Sequence, residues 1–157
     1  SLVEVMGRRC GDTALQTGIA TGATAILVPE VEYNIERDVI TRIVNTQKTG
    51  KKHFIIVVAE GVGGVNDLAK YIAQRLGIET RATVLGHVQR GGSPTLRDRV
   101  VASEMGYKAV QLLDKNIGTR VVVMRNGKIT DLDINEALDM ERVFDLELYK
   151  IAMTISI

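Results

Sequence analysis

The chain has 157 residues, of which 45% are hydrophobic, and it carries 20 lysines and arginines against 19 aspartates and glutamates. A chain of this length can bury one substantial core, which argues against intrinsic disorder. The net charge of +1 gives no general attraction to nucleic acid or to an acidic membrane surface, so any anion site must be local.

Cysteine content indicates a reducing compartment, and hydropathy argues against a membrane-spanning helix. The single cysteine, Cys10, excludes an internal disulfide. No apolar run approaches the roughly 20 residues that a membrane-spanning helix needs, and the chain does not open on a signal segment. The sequence therefore predicts a cytoplasmic protein with no membrane or nucleic-acid partner. Because strand-like residues 2–5 directly follow Ser1, which is not an initiator methionine, we expect the chain to be an excerpt.

Short β-branched runs alternate with segments of helical period in the first half of the chain. The predicted strands are residues 2–5, 25–28, 53–58 and 80–85, and the predicted helices are 12–21, 36–47 and about 65–76. The run at 53–58 (HFIIVV) is apolar without alternation, as expected of a central parallel strand covered on both faces. These successive units predict an α/β fold with a three-layer, Rossmann-like parallel sheet.

The pattern changes in the second half of the chain. A long helix is predicted over 96–114, and its apolar stripe consists of Leu96, Val100, Ala109, Leu112 and Leu113. Asn126 and Gly127 predict a hairpin, because this pair accepts the positive φ angles of a type I′ turn. The other predicted elements are strands at 120–125 and 128–134 and helices near 135–138 and from about Leu146.

Parallel sheets bind ligands beyond the carboxyl ends of their strands, so the loops that follow strands are the candidate sites. In chain order they are loop 1 (MGRRCGD, 6–12), loop 2 (PEVEYN, 29–34), loop 3 (AEGVGG, 59–64) and loop 4 (GHVQRGGSP, 86–94). In three of these loops, glycine adjoins residues that can bind an anion or a hydroxyl. This convergence predicts a ligand site at one edge of the sheet.

Loop 1 combines two arginines with glycines before a predicted helix. A guanidinium can hold a phosphate through two hydrogen bonds, and free N–H groups at a helix start favour negative charge. A tight turn with solvated arginines fits the same residues, and loop 1 alone slightly favours that interpretation.

Loops 3 and 4 supply a carboxylate and two cationic groups. Glu60 is able to accept hydrogen bonds from substrate hydroxyls, to act as a base or to cap the next helix. The spacing of loop 3 is not GxGxxG, which argues against a dinucleotide site. His87 and Arg90 among the glycines of loop 4 favour a phosphate site over a structural histidine. Period two places Arg81 and His87 on one side of the strand, provided that the strand extends that far.

A metal site is not predicted, because the chain has one cysteine and no HxxxH spacing.

Together, EVMGRRCGD, AEGVGG, ETRATVLGHVQRGGSP and the neighbourhood of Asp98 to Ser103 resemble the carboxy-terminal half of a bacterial-type ATP-dependent 6-phosphofructokinase. The resemblance covers essentially the whole chain. It implies a fructose 6-phosphate site formed by Met6, Gly7, Arg8, Glu60, Arg81, His87 and Arg90. Arg8 is implied to be catalytic, by stabilising the phosphoryl group in transfer. His87 and Arg90 are implied to clamp the 6-phosphate, and Arg81 to reach the site of a neighbouring subunit.

The resemblance also implies two lobes. Residues 1–88 and 140–157 correspond to the sugar-phosphate lobe, and 89–139 to a segment that returns to a nucleotide lobe largely absent from this chain. The resemblance further implies that the complete enzyme is a cytoplasmic homotetramer of glycolysis that uses ATP and Mg²⁺. The family's GGDG loop and TIDND-like aspartates do not occur in this sequence, and a further site arginine is expected just before Ser1.

We therefore expect the chain alone to bind neither ATP nor Mg²⁺ and to lack kinase activity. It should also self-associate through the apolar face of its long helix.

An effector site is implied at Gly22, Lys51 and His53, the last two within the basic turn KTGKKH at 48–53. An acidic effector residue of the family corresponds here to Thr24, and a basic one to Thr49. The second correspondence depends on where a one-residue insertion near 33–36 is placed. Both departures argue against activation by Mg-ADP in the usual manner.

Two alternatives remain open. One is the non-catalytic half of a tandem phosphofructokinase, which binds a regulatory sugar phosphate. The other is a pyrophosphate-dependent relative, against which the histidine of GHVQRGG weakly argues, because a tyrosine is often found there in such enzymes.

Overall fold

The computed structural model describes residues 1–156. The chain divides into two compact units: unit 1 comprises Ser1–Gly91 and Phe144–Ile157, and unit 2 comprises Gly92–Val143. A division into compact units assigns no function to either one. The sugar-phosphate and nucleotide lobes that the resemblance implies therefore stay a prediction.

Unit 1 is built on a four-stranded parallel sheet. Its strands are β1 (Leu2–Val5), β2 (Ala25–Leu27), β3 (Ile56–Ala59) and β4 (Ala82–Val84). They lie in the order β2-β3-β1-β4, and all three neighbouring pairs run parallel. All four residues of β3 are buried, as expected of an inner strand with both faces covered.

β3 and β4 are each at least two residues shorter than the sequence pattern predicts, and β2 is one residue shorter. β3 begins at Ile56 rather than at residue 53, because both of its neighbours begin opposite Ile56, β1 at Leu2 and β2 at Ala25. The apolar residues before Ile56 have no strand to pair with. β4 ends at Val84, since the chain turns at Gly86 into a short 3₁₀ helix, Gly86–Gln89.

Helices cover both faces of the sheet and give unit 1 three layers, as predicted. They are α1 (Asp12–Thr21), α2 (Thr41–Gln47), α3 (Val65–Leu76) and α6 (Leu146–Ile155). The predicted helix at 36–47 is α2 preceded by a π-helical segment, Glu36–Ile40. α2 and α3 pack in the core on one face, and α1 and α6 pack in the core on the other.

Two contacts hold α6 in unit 1 despite its distance along the chain. The Tyr149 hydroxyl donates a hydrogen bond of 3.1 Å to the carbonyl of Ile26 in β2. The guanidinium of Arg42 donates to the Met153 carbonyl at 2.6 Å and to the Ser156 hydroxyl at 3.1 Å. A cation suits these last carbonyls of a helix, where the backbone carries partial negative charge.

Unit 2 consists of one long helix, a hairpin and a short helix. They are α4 (Leu96–Asp114), β5 (Arg120–Arg125), β6 (Lys128–Asp133) and α5 (Ile134–Asp139). Positive φ angles at Asn126 (51°) and Gly127 (74°) confirm the hairpin prediction. β6 ends at Asp133, before the predicted limit, because the Asp133 carboxylate accepts a hydrogen bond from the N–H of Asn135 and caps α5.

The apolar stripe predicted for α4 is not buried as a core face. Of its five residues only Leu112 is buried, whereas the exposed fractions of Leu96 and Leu113 are 81% and 70%. A two-stranded hairpin is too small to cover a helix of nineteen residues. In residues 1–156, no helix is both long and apolar enough to cross a membrane.

Candidate functional site

The two inner strands of the sheet lead the chain to opposite faces. β1 runs through loop 1 into α1 on one face, and β3 runs through loop 3 into α3 on the other. Such a divergence between neighbouring strands opens a crevice beyond their carboxyl ends, where open α/β sheets bind ligands. The structure therefore provides a candidate site between loop 1 and loop 3.

Glycines allow these two loops to touch through their backbones. The N–H of Gly61 donates a hydrogen bond of 3.1 Å to the carbonyl of Gly7. A Cβ on Gly61 would collide with the carbonyl oxygen of Arg8, and a Cβ on Gly7, whose φ is +143°, would collide with that of Cys10. The close approach of the two loops therefore requires glycine at position 61, and the turn within loop 1 requires it at position 7.

Arg8 and Glu60 face each other across this crevice. A guanidinium nitrogen of Arg8 lies 3.7 Å from a carboxylate oxygen of Glu60. The Arg8 side chain is 83% exposed, so this pair restrains it only weakly and leaves its other donors free for a ligand. Glu60 begins a short 3₁₀ turn, Glu60–Val62, and α3 starts after Gly64, so Glu60 does not cap that helix.

The amino end of α1 is occupied by a carboxylate of the protein itself. The N–H of Gly11 donates to both carboxylate oxygens of Glu30 in loop 2, at 2.8 and 3.1 Å. Our expectation that this helix start offers a free N–H to a ligand anion is therefore wrong for Gly11. The negative charge that a helix start favours is already supplied from within the chain.

Two clefts flank the Arg8 and Glu60 pair. The first, of about 230 Å³, is lined by Glu4, Val5, Met6, Arg8, Glu60, Val84, Gly86 and His87. The second, of about 440 Å³, is lined by Met6, Gly7, Arg8, Cys10, Thr13, Glu60 and Arg90. The structure thus gathers six of the seven predicted substrate-binding residues at one edge of the sheet. His87 lines the first cleft and Arg90 the second, and the two clefts share Met6, Arg8 and Glu60.

A glutamine ties loop 4 to loop 1. The side-chain oxygen of Gln89 accepts a hydrogen bond from the N–H of Met6 at 3.1 Å. Its side-chain nitrogen donates to the carbonyl of Gly86 at 2.8 Å. Gln89 therefore sets the position of His87 and Arg90 relative to loop 1.

Arg81 lies apart from the other predicted substrate-binding residues. It precedes β4, at the amino end of the strand, and its side chain pairs with Glu79 at 2.6 Å. His87 lies beyond the carboxyl end of the same strand, in the 3₁₀ helix Gly86–Gln89. The argument from period two held only if the strand reached His87, and it does not apply here because β4 ends at Val84.

The predicted effector residues lie at the opposite edge of the sheet. Gly22 ends α1 in a left-handed conformation before β2, and Lys51 and His53 precede β3. Thr24 is fully buried, and no partner for its hydroxyl is found in the described residues. The effector site stays a prediction.

Comparison with known proteins identifies the family. The family profile described as Phosphofructokinase matches residues 1–113. The chain belongs to the phosphofructokinase family. Curated phosphofructokinases resemble the chain along its whole length. The ATP-dependent 6-phosphofructokinase of Clostridium botulinum (strain Hall) is 57% identical over 99% of this chain. The ATP-dependent 6-phosphofructokinase of Clostridioides difficile (strain 630) is 53% identical over 100% of this chain. The chain spans about half the length of these relatives, 49% of each.

Solved phosphofructokinase structures share the fold. The phosphofructokinase of Pichia pastoris in the T-state matches 98% of this chain and is itself covered to 18%, with a TM-score of 0.77 and 30% identity. A pyrophosphate-dependent phosphofructokinase from Marinobacter aquaeolei matches 93% of this chain and is covered to 42%, with a TM-score of 0.79. Its 23% identity supports the fold alone.

Sequence reasoning missed three side chains at this edge of the phosphofructokinase sheet. They are Glu4, Glu30 and Gln89. Gln89 stands inside loop 4, but nothing in its sequence position shows that it reaches Met6. Glu4 gave a usable signal, because a glutamate in an inner strand is unusual.

Proposed function

We propose that this chain forms the fructose 6-phosphate site of an ATP-dependent 6-phosphofructokinase, which transfers the γ-phosphate of ATP to the 1-hydroxyl of the sugar. The observation that carries the proposal is the pairing of Arg8 with Glu60 in the crevice between β1 and β3, flanked by two clefts. A sugar phosphate needs both kinds of group, cations for the phosphate and a carboxylate for the hydroxyls.

Each residue has a role that suits its chemistry. Arg8 keeps free N–H donors, so it can bind the oxygens of a phosphoryl group whose negative charge spreads during transfer. Glu60 accepts hydrogen bonds from sugar hydroxyls. His87 and Arg90 hold the 6-phosphate, and the backbone of Met6 and Gly7 approaches the sugar.

Arg81, which lies at the other end of β4, is proposed to serve the site of a neighbouring subunit in a homotetramer. We propose a cytoplasmic location for the complete enzyme, in keeping with a role in glycolysis.

Metal and nucleotide are assigned to other parts of the complete enzyme. In residues 1–156, no group of three or more histidine, cysteine, aspartate or glutamate side chains could hold a metal ion. We propose that the carboxylates that hold Mg²⁺ belong to the rest of the complete enzyme. ATP is favoured as the donor, because the relatives at 57% and 53% identity carry the name ATP-dependent.

A titration calorimeter tests the binding step directly. The wild-type chain should bind fructose 6-phosphate. Arg8→Ala and Arg90→Ala should each weaken binding roughly tenfold to a hundredfold, which is the loss of affinity expected when a hydrogen bond to a charged group is removed. Arg9→Ala is the matched control, since Arg9 is an exposed neighbour of Arg8 that lines neither cleft, and it should change affinity less than twofold. A folded wild-type chain that binds no fructose 6-phosphate would contradict the proposal.

A further inference from the structure

Glu4 occupies a position where an inner strand ordinarily carries an apolar residue. β1 lies between β3 and β4 in the sheet. Side chains alternate along a strand, so Glu4 shares its face with Leu2, which is fully buried in the core under α2 and α3. Val3 and Val5 pack in the core on the opposite face. A carboxylate is unusual at this position, because charged side chains are seldom buried without a partner.

The carboxylate of Glu4 has no partner that would justify its partial burial. Within residues 1–156, neither a hydrogen bond nor an ion pair reaches it. Burial, and after it the nearby negative charge of Glu60, raise the pKa of Glu4. Both effects disfavour the ionised carboxylate, so Glu4 costs the folded chain stability. A residue that lowers the stability of the fold and forms no stabilising contact in it is typical of a functional site.

The surroundings of Glu4 show what such a group could bind. It lines the 230 Å³ cleft together with Arg8, Glu60 and His87. Opposite it on β4 is Val84, an exposed apolar residue that can donate no hydrogen bond from its side chain. An ionised carboxylate only accepts hydrogen bonds. It therefore suits the hydroxyl groups of a ligand and repels a phosphate.

We propose that Glu4 is a second substrate-binding carboxylate, which accepts a hydrogen bond from a hydroxyl of the sugar phosphate beside Glu60. The proposal rests on the proposed function and specifies which side of the site meets the sugar. The hydroxyl-bearing part of the ligand contacts Glu4 and Glu60, and the 6-phosphate contacts His87 and Arg90. The ligand class is a phosphorylated polyol whose hydroxyl donors satisfy both carboxylates.

Glu4→Gln is the informative variant, because it keeps the size of the side chain and removes the charge. Its affinity for fructose 6-phosphate, measured by calorimetry, should fall roughly tenfold, since a hydrogen bond to a charged acceptor is replaced by a weaker one. Its affinity for inorganic phosphate should not fall, because the carboxylate does not contact the phosphate. Its Tm should be equal to or higher than that of the wild type, because an unpaired, partly buried charge has been removed.

The outcomes separate the inference from the proposed function. A lower Tm together with weaker binding of both ligands would assign Glu4 a structural role and overturn the inference. Unchanged affinity for fructose 6-phosphate in Glu4→Gln, with a wild-type chain that binds it, would overturn the inference alone. A wild-type chain that binds no fructose 6-phosphate would overturn the proposed function and the inference with it. Glu32→Gln, an exposed glutamate in loop 2, is the matched control and should match the wild type in both affinity and Tm.

Discussion

The two units of the chain bury their apolar residues very differently. Unit 1 contains every buried hydrophobic side chain of residues 1–156 except Leu112. In unit 2, most of the large apolar side chains of α4 are exposed; they are Leu96, Val100, Tyr107, Val110 and Leu113. A parallel sheet covered by helices on both faces supplies its own core, whereas a helix against a two-stranded hairpin does not. We therefore expect the stability of the chain to reside in unit 1.

The largest expected effect comes from the core of unit 1. Ile56 in β3 is 1% exposed, so Ile56→Ala should lower the free energy of unfolding by about 2–5 kcal/mol through lost burial and the cavity that remains. Val110 in α4 is 64% exposed, and Val110→Ala should change it by less than about 0.5 kcal/mol. Urea denaturation measures both. Equal losses would show that the two units do not differ in the way that their burial indicates.

A second prediction concerns the site of unit 1 rather than its core. Gly61→Ala should weaken binding of fructose 6-phosphate more than tenfold, because the new Cβ would push loop 3 away from Arg8 and from the Gly7 carbonyl. Gly92→Ala is the control in unit 2, since a Cβ there meets no atom within 4 Å. Calorimetry on both variants is the measurement. Wild-type affinity in Gly61→Ala would show that the contact between loops 1 and 3 does not shape the site.

The smallest expected effect is electrostatic and lies in unit 2. Hydrogen bonds from Lys108 and Arg120, and the charges of both, hold the pKa of Asp131 below its ordinary value of 3.8. Because folding lowers this pKa, the ionised carboxylate stabilises the folded state above about pH 4, and this contribution is lost as the pH falls through the lowered pKa.

Asp131→Asn should therefore have a lower Tm than the wild type at pH 7, and the gap should close in acid. Thermal melts from pH 7 to pH 2 measure this gap, with the exposed Asp139→Asn as the control. A gap that stays constant over this range would contradict the assignment.

In both units, the sequence pattern predicted which helices and strands form better than it predicted where each begins and ends. The helix Asp12–Thr21 and the turn at Asn126 and Gly127 follow from hydrophobic period and backbone preference, which belong to the segments themselves. The start of β3 does not, because the neighbouring strands determine where pairing begins. The exposure of Leu96 and Leu113 could not be read from an apolar stripe, which shows where a partner would pack but not whether one is present.

The site shows the same contrast between what a local segment determines and what only the folded structure determines. The rule that ligands bind at loops after parallel strands was sufficient to select loops 1, 3 and 4 as candidates, because the sheet brings such loops to one edge. Only the family resemblance singled out Arg8 within loop 1. Arg81 is separate from the other site residues because it lies before Ala82, at the amino end of β4. The bond from Gln89 to Met6 joins residues far apart in the chain, so only the folded structure reveals it.

The Glu30 carboxylate at the start of α1 has a consequence for how loop 1 meets a ligand. Many loops before helices become ordered only when an anion arrives, and part of the binding free energy is then spent on ordering them. Here an internal anion, held by both of its oxygens at the Gly11 N–H, supports the turn before any substrate is present. The Arg8 loop is thus preorganised, and affinity gained by its guanidinium is not reduced by the entropy of folding the loop around the ligand.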